Sequence, residues 1–375
     1  MSILLSSDAG WLIDQENFIN LNIKSIKCDG ISKSFIVNPS LFNINSQFLR
    51  PNQQEQSEDN IKPKKRKLSC KTFIDTCNLN ETILLVQLKL VEIIKQARQL
   101  GYISTFHGSA KDENKSAKLF SNEFYKETSS IDFAKYSKGG NNSSDNLLVI
   151  LNDEKFIIPA NCNFYSYDIR EMKNHLDFSI QYDLIALDPP WWNKHIRRKK
   201  SQGLGLSYNM LENSELLNLP IKKLLKHNGI VLIWCTNSPS HLTYINDVLF
   251  PEWNLTKEAI WYWVKITKDG KPICDFSKPP VKQPFEQIII GRFNAGNIIN
   301  DDCDFKIIPD QKIIVSVPSA LHSHKPNLTE ILTQFLPDTP MCLELFARSL
   351  QRNWTSYGFE PLRLQHISLF KQEAD

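Results

Sequence analysis

Glycine is scarce in this sequence. It accounts for 13 of 375 residues, about half the ~7% usual in proteins. That shortage argues against a glycine-rich phosphate loop. The single G-x-G, Gly203-Leu204-Gly205, has Tyr208 where a third glycine would be required. The eight cysteines are scattered, no C-x-x-C occurs, and Cys70 and Cys77 fit no zinc ligand spacing. Reduced thiols and an intracellular protein are the expectation. His322 and His324 stand two apart, but no cysteine or acidic cluster supports them, so no metal is expected. No apolar run approaches the ~20 residues of a membrane span. Asp8 interrupts the short apolar start, so a secretory signal is not expected either. Charge of one sign is lacking too: 44 Lys plus Arg stand against 41 Asp plus Glu. A chain basic throughout is excluded; a local basic patch is not.

What is present changes along the chain. A length of 375 residues suggests two or three units at ~150 residues each. Residues 1–50 mix short apolar clusters with asparagine and serine, as in an accessory region or an extension of a larger domain. Residues 51–72 read as a linker, polar at first and then carrying Lys62-Pro63-Lys64-Lys65-Arg66-Lys67. So dense a cluster repels itself and stays solvated, ready for a nuclear import receptor or a phosphate backbone. Import is favoured over a plain charged linker, because the cluster is compact and proline-led.

Residues 73–107 form a helical segment. Ile83, Val86, Leu90, Ile93, Ile94 and Ala97 recur at three- and four-residue steps, and Gly101 ends the pattern. Residues 108–145 are polar and end in Gly139-Gly140-Asn141-Asn142-Ser143-Ser144, the composition of a flexible loop. From Asn146 onward, strand-like runs alternate with helical segments. Leu147–Leu151 and Phe156–Ile158 flank a hairpin turn, and Ser214–Lys226 reads as one helix capped by Ser214. The alternation predicts an α/β domain with a largely parallel, doubly covered sheet.

In such sheets ligands bind beyond the carboxyl ends of the strands. The run Tyr182–Leu187 ends at Asp188-Pro189-Pro190-Trp191. Two prolines fix φ and stop the strand, so the turn is rigid. It offers a carboxylate, a backbone carbonyl and an aromatic ring. Two acceptors suit the two protons of an exocyclic amine, and an indole suits stacking on a planar base. The N6 lone pair of adenine is delocalised and weakly nucleophilic. Acceptors on its N–H groups return electron density to nitrogen, and a carboxylate stabilises the developing positive charge.

Several blocks in order sharpen this: Tyr167-Asp168-Ile169-Arg170, the Asp188–Trp191 tetrapeptide, Leu321-His322-Ser323-His324-Lys325-Pro326, and Leu343-Glu344-Leu345-Phe346-Ala347-Arg348. Together they resemble the adenine-N6 methyltransferases related to the catalytic subunit of the messenger-RNA methyltransferase. The resemblance implies a Rossmann-like, S-adenosylmethionine-dependent methyltransferase with permuted motif order over residues 146–375, plus a smaller N-terminal region. It implies catalysis by Asp188, Pro189, Pro190 and Trp191. It further implies that Asp168 and Ile169 hold the cofactor's adenine, that Asp188 and Lys325 address its methionine end, and that Arg348, Gln351 and Glu360 meet its ribose. Phe359 departs from the family, which often carries asparagine there. The implied substrate is RNA, at a 2′-O-methylated internal adenosine of a small nuclear RNA, without need of a partner subunit; the import-like cluster adds the expectation of a nuclear protein with a cytosolic pool beside it. N6-adenine methylation of DNA is the alternative. A non-catalytic RNA-binding subunit is disfavoured by the joint presence of Asp168, Asp188, Trp191 and Lys325.

Lys194, Arg197, Arg198, Lys199 and Lys200 follow the tetrapeptide closely. A basic loop beside the site is expected to grip phosphates and position the target base. Replacing Arg197, Arg198, Lys199 and Lys200 by Ala together should flatten the slope of log K against log salt by up to about 3 on single strands. Titrations at several salt concentrations read this slope, and an unchanged slope puts the binding face elsewhere.

Overall fold

Apolar residues in consecutive positions leave a strand with two faces to cover. Leu184–Leu187 and Ile230–Cys235 are such runs, and the architecture grows around them. The computed structural model describes residues 1–28, 31–48, 70–103, 114–191, 211–278, 281–294 and 306–373. In chain order, a hairpin of β1 (Ile3–Ser6) and β2 (Gly10–Ile13) precedes α1 (Gln15–Ile23) and three short strands, β3 (Ile26–Cys28), β4 (Ile31–Lys33) and β5 (Phe35–Val37). Two helices follow, α2 (Cys70–Gln99) and α3 (Lys115–Glu127). Next come β6 (Lys138–Asn141), β7 (Asn146–Leu151), β8 (Glu154–Ile158) and β9 (Cys162–Ser166). The remaining strands are β10 (Tyr182–Leu187), β11 (Leu225–Cys235), β12 (Leu255–Lys265), β13 (Phe285–Phe293), β14 (Ile313–Ser316), β15 (Cys342–Leu345), β16 (Trp354–Gly358) and β17 (Phe370–Gln372).

Eleven strands form one sheet in the order β1-β2-β14-β12-β13-β11-β10-β15-β16-β9-β6. The segment from β11 through β10, β15 and β16 to β9 is parallel throughout. Beside it, β13 runs antiparallel to both β11 and β12. Side chains alternate across the sheet as the two-residue period requires. Ile185, Leu187, Val231, Ile233, Leu343 and Leu345 share one buried cluster. Leu184, Leu232, Trp234, Trp261 and Ile288 belong to the other face. The sheet is thus a mixed, covered α/β sheet, with antiparallel β13 interrupting the parallel order.

The N-terminal residues join this sheet: β2 pairs in parallel with β14. Gly10 permits it. Its φ is +144°, and a Cβ there would lie 1.9 Å from the Ile313 carbonyl oxygen. The helix expected around Asn80–Leu100 is α2, whose Ile83, Val86, Leu90, Ile93 and Ala97 bury against Leu12, Tyr262, Val264, Ile313 and Val315. The 51–72 linker, with Lys62–Lys67, lies outside the described residues except for 70–72, which begin α2.

Two expectations need correction. Residues 108–145 are not a flexible loop in their described part. Ala117, Ser121 and Phe124 form a buried stripe on α3, and Ser121 Oγ donates to the Ala320 carbonyl. The stripe is narrow and partly polar, which hid it in a polar sequence. Gly140 sits in β6 because a Cβ there would stand 2.4 Å from the Cys162 carbonyl oxygen. Nor is Ser214–Lys226 one helix. Glu212 caps a short turn, Asn213–Leu216, through a capping box with Glu215. Pro220 lacks an N–H to continue it. A second turn, Ile221–Leu224, leads directly into β11.

Candidate active site

Asp188 directly follows β10, where the parallel neighbours β11 and β15 also end. Its backbone N–H reaches the Leu345 carbonyl at 3.4 Å. The next peptides fold tightly. Trp191 N–H donates to the Pro189 carbonyl at 2.7 Å, and Leu211 N–H to the Pro190 carbonyl at 3.1 Å. Pro189 therefore keeps one carbonyl lone pair free of that turn. Trp191 anchors the turn from below. It is 7% exposed, its indole N–H donates to the Trp234 carbonyl at 2.8 Å, and its ring tilts against His241 at 4.8 Å. An open stacking face was the expectation; the ring is instead packed into the core around β10 and β11.

The charges beside Asp188 form a chain. Lys325 Nζ lies 3.5 Å from Asp188 and 2.5 Å from Glu286. Glu286 also pairs with Lys265. The Lys325 ammonium sits 5.4 Å from the centre of the Trp234 ring and 5.9 Å from that of Trp263, so its solvation is replaced by carboxylates and aromatic faces. Burial raises the Asp188 carboxyl above its ordinary range, and Lys325 and Arg348 only partly oppose this. For Glu286, burial acts upward as well, but Lys265 and Lys325 win and hold it well below the carboxylate range. For Lys325, burial acts downward, while Asp188 and Glu286 raise it overall, so it stays charged. Removing one member of such a chain leaves an uncompensated buried charge, at about 3–5 kcal/mol.

Asp188, Lys325, Arg348 and Gln351 line one cleft, together with Leu184, Ala186, Leu232 and Trp234. Arg348 Nε stands 3.9 Å from Glu360, and Glu360 also pairs with Arg363. Asp168 and Ile169 stand apart from the cleft lining. They follow β9, three strand spacings along from β10, or about 14 Å. Asp168 accepts from the Arg170 N–H at 2.9 Å and from its guanidinium at 3.1 Å. Ile169 is buried as a whole residue. Lys194, Arg197, Arg198, Lys199 and Lys200 lie outside the described residues.

Sequence reasoning missed Glu286, Lys265 and the role of Glu344. Glu344 is the one charged residue of β15, and that oddity was the available signal; β12 and β13 carry further charged residues, which masked Lys265 and Glu286. Glu344 lines the cleft and accepts from Gln351 at 3.2 Å. Burial, with Asp188 nearby, pushes its carboxyl up to about 8. Among the described residues no group of His, Cys, Asp or Glu could hold a metal ion.

Residues 182–360 match the MT-A70 family. That stretch, just under half of the chain, is similar to MT-A70 methyltransferase domains. Over 233 residues it is 38% identical to the N(6)-adenine-specific methyltransferase METTL4 of Mus musculus, covering 61% of this chain and 48% of that protein. A Caenorhabditis elegans relative named DNA N6-methyl methyltransferase is 31% identical over 220 residues, 58% of this chain and 56% of its own. The N6-methyladenosine RNA methyltransferase MTA1 of Pyricularia oryzae is 32% identical over 219 residues, 57% of this chain and 56% of its own. The chain thus spans about half the length of the curated relatives it matches. MT-A70 methyltransferases use S-adenosylmethionine.

The cleft suits that cofactor chemically. Lys325 and Arg348 are cations for a carboxylate, while Asp188 and Glu344 are carboxyls for an ammonium. Thr329 Oγ and His324 Nδ1 are buried without a hydrogen-bond partner on residues that line it.

The raised Glu344 carboxyl has a consequence for the ligand-free protein. Between its unfolded value near 4.5 and about 8, the native state holds a proton that the unfolded chain has lost. Stability is therefore gained as pH falls through about 8. His324, pushed down to about 4 by burial, acts oppositely below about 6.5, where the unfolded imidazole gains a proton. The thermal midpoint should rise as pH falls from 8 toward 6.5, and Glu344→Gln should reduce that rise. Thermal melts of both proteins across this range check it, with Asp188 common to the two.

Proposed function

We propose that this protein transfers the methyl group of S-adenosylmethionine to the N6 amine of adenine in a nucleic acid. One observation carries the reading: Asp188, held at 3.5 Å from Lys325, opens a rigid two-proline turn at the mouth of a cleft built for a zwitterion. When bound, S-adenosylmethionine supplies an electrophilic methyl group. Lys325 then meets its carboxylate, Asp188 and Glu344 its ammonium, and Arg348, Glu360 and Gln351 its hydroxyls. Asp168 and Ile169 take its adenine.

At the substrate side, Asp188 and the free lone pair of the Pro189 carbonyl accept the two N6 protons. They raise electron density on nitrogen and fix its direction. The proline turn and the buried Trp191 hold those acceptors still. Asp188 stabilises the positive charge that develops, and the product ammonium gives its proton to solvent without a strong general base.

We favour RNA, with a 2′-O-methylated internal adenosine of a small nuclear RNA as target. The DNA reading is supported by the name of the Caenorhabditis elegans relative, the RNA reading by that of the fungal MTA1 protein. The pocket reads an unpaired or extruded base in either polymer. Lys62–Lys67 supports nuclear entry through an import receptor.

Mass spectrometry of nucleosides from RNA and DNA, after incubation with isotope-labelled cofactor, tests polymer and base together. Asp188→Ala should lower turnover by at least about 100-fold with an unchanged circular dichroism spectrum; wild-type turnover in that variant rejects the catalytic role. Deleting residues 62–67 should move a fluorescently tagged protein toward the cytoplasm, and unchanged nuclear enrichment rejects import.

A further inference from the structure

The site proposed for the cofactor's adenine lies at the ends of β9 and β16, and those ends are tied together by Tyr357. Tyr357 is fully buried in β16, where its neighbours are Leu345 of β15 and Tyr165 of β9. Its backbone carbonyl accepts from the Ala347 N–H at 3.0 Å, next to Arg348. Its hydroxyl donates to the backbone carbonyl of Asp168 at 3.1 Å. The same hydroxyl lies 3.2 Å from His175 Nδ1, and the His175 ring stacks on Tyr167 at 3.6 Å and 16°. A hydroxyl has one proton. Given to Asp168, it leaves His175 Nδ1 to donate to the phenol oxygen.

The Asp168 carbonyl also accepts from the Glu171 N–H at 3.0 Å. Both of its lone pairs are then used, and the Asp168–Ile169 peptide cannot rotate without breaking one of these bonds. That peptide joins the carboxylate assigned to the purine amine to the backbone group assigned to the ring. Burial raises the Tyr357 hydroxyl, so it keeps its proton at neutral pH. The residue touches no ligand itself.

We infer that Tyr357 is a positioning residue for cofactor specificity, holding the Asp168–Ile169 peptide so that it discriminates adenine from a purine with a reversed hydrogen-bonding edge. This rests on the proposed placement of adenine at Asp168 and Ile169. Hypoxanthine is the discriminating base, because it carries a carbonyl in place of the amine and a protonated N1. A rigid Asp168 carboxylate repels that carbonyl; a loosened turn repels it less.

The test measures dissociation constants of S-adenosylhomocysteine and S-inosylhomocysteine by calorimetry, on the full chain and without turnover. Tyr357→Phe keeps the buried ring and removes only the hydroxyl. It should cut the preference for the adenine ligand at least fivefold. Equal weakening of both ligands, or no change in either, overturns the inference, because a purely structural role moves both alike. Asp168→Asn separates the two levels of the argument. Its amide can donate to the hypoxanthine carbonyl, so the preference should fall or invert. An unchanged preference in Asp168→Asn rejects the adenine placement itself. A fall in Asp168→Asn with none in Tyr357→Phe rejects the role of Tyr357 alone.

Discussion

The largely buried ammonium of Lys325 organises this site. It faces two carboxylates, Asp188 and Glu286, and Glu286 faces a second ammonium, Lys265. Each charge is tolerable only because the next one is present. The charges run from β12 through β13 to the end of β10, so their pairing depends on the mixed order of the central sheet. Antiparallel β13 brings Glu286 alongside the carboxyl ends of parallel strands, where no sequence neighbour of Asp188 could place a carboxylate. Lys325 arrives on the chain after β14, on the far side of β12 and β13 in the sheet.

Rigidity and solvation are divided among different residues. Pro189 and Pro190 fix the backbone, and the indole N–H of Trp191, bonded to Trp234, keeps the turn from lifting. The burial that makes this possible also raises the Asp188 and Glu344 carboxyls. Burial therefore holds these carboxyl groups above their ordinary range, and a cation placed beside them would oppose that shift. The same low-dielectric setting strengthens any hydrogen bond between Asp188 and an amine. Apart from the cleft lining, half-exposed Asp168 is oriented by the Arg170 N–H and guanidinium and by the bonds its carbonyl accepts.

The N-terminal residues are part of the same construction. β2 extends the sheet beyond β14, the Ser2 N–H donates to Glu330 at 2.8 Å, and the Gln15 side chain donates to the His324 carbonyl at 3.3 Å. These contacts brace the stretch that carries Lys325. They join residues more than 300 positions apart, and no local pattern announces them.

The α/β class was legible in the sequence because strands covered on both faces must be continuously apolar. The position of Asp188 was legible because two prolines cannot continue a strand. The blocks holding Asp168, Lys325 and Arg348 were readable through their resemblance to a family. Strands β9 and β16 escaped notice because Cys162–Ser166 and Trp354–Gly358 contain polar residues that only strand pairing buries. Helix α3 escaped because its buried stripe is three small or isolated residues in a polar stretch. Glu286, Glu344 and Tyr357 were present as letters, but their meaning is a set of distances. By itself the sequence determined which chemical groups exist and where the chain must turn, since propensity and proline geometry are local. Only the tertiary structure decided which charges neutralise one another and which ring is buried, because those outcomes depend on strands brought together from distant parts of the chain.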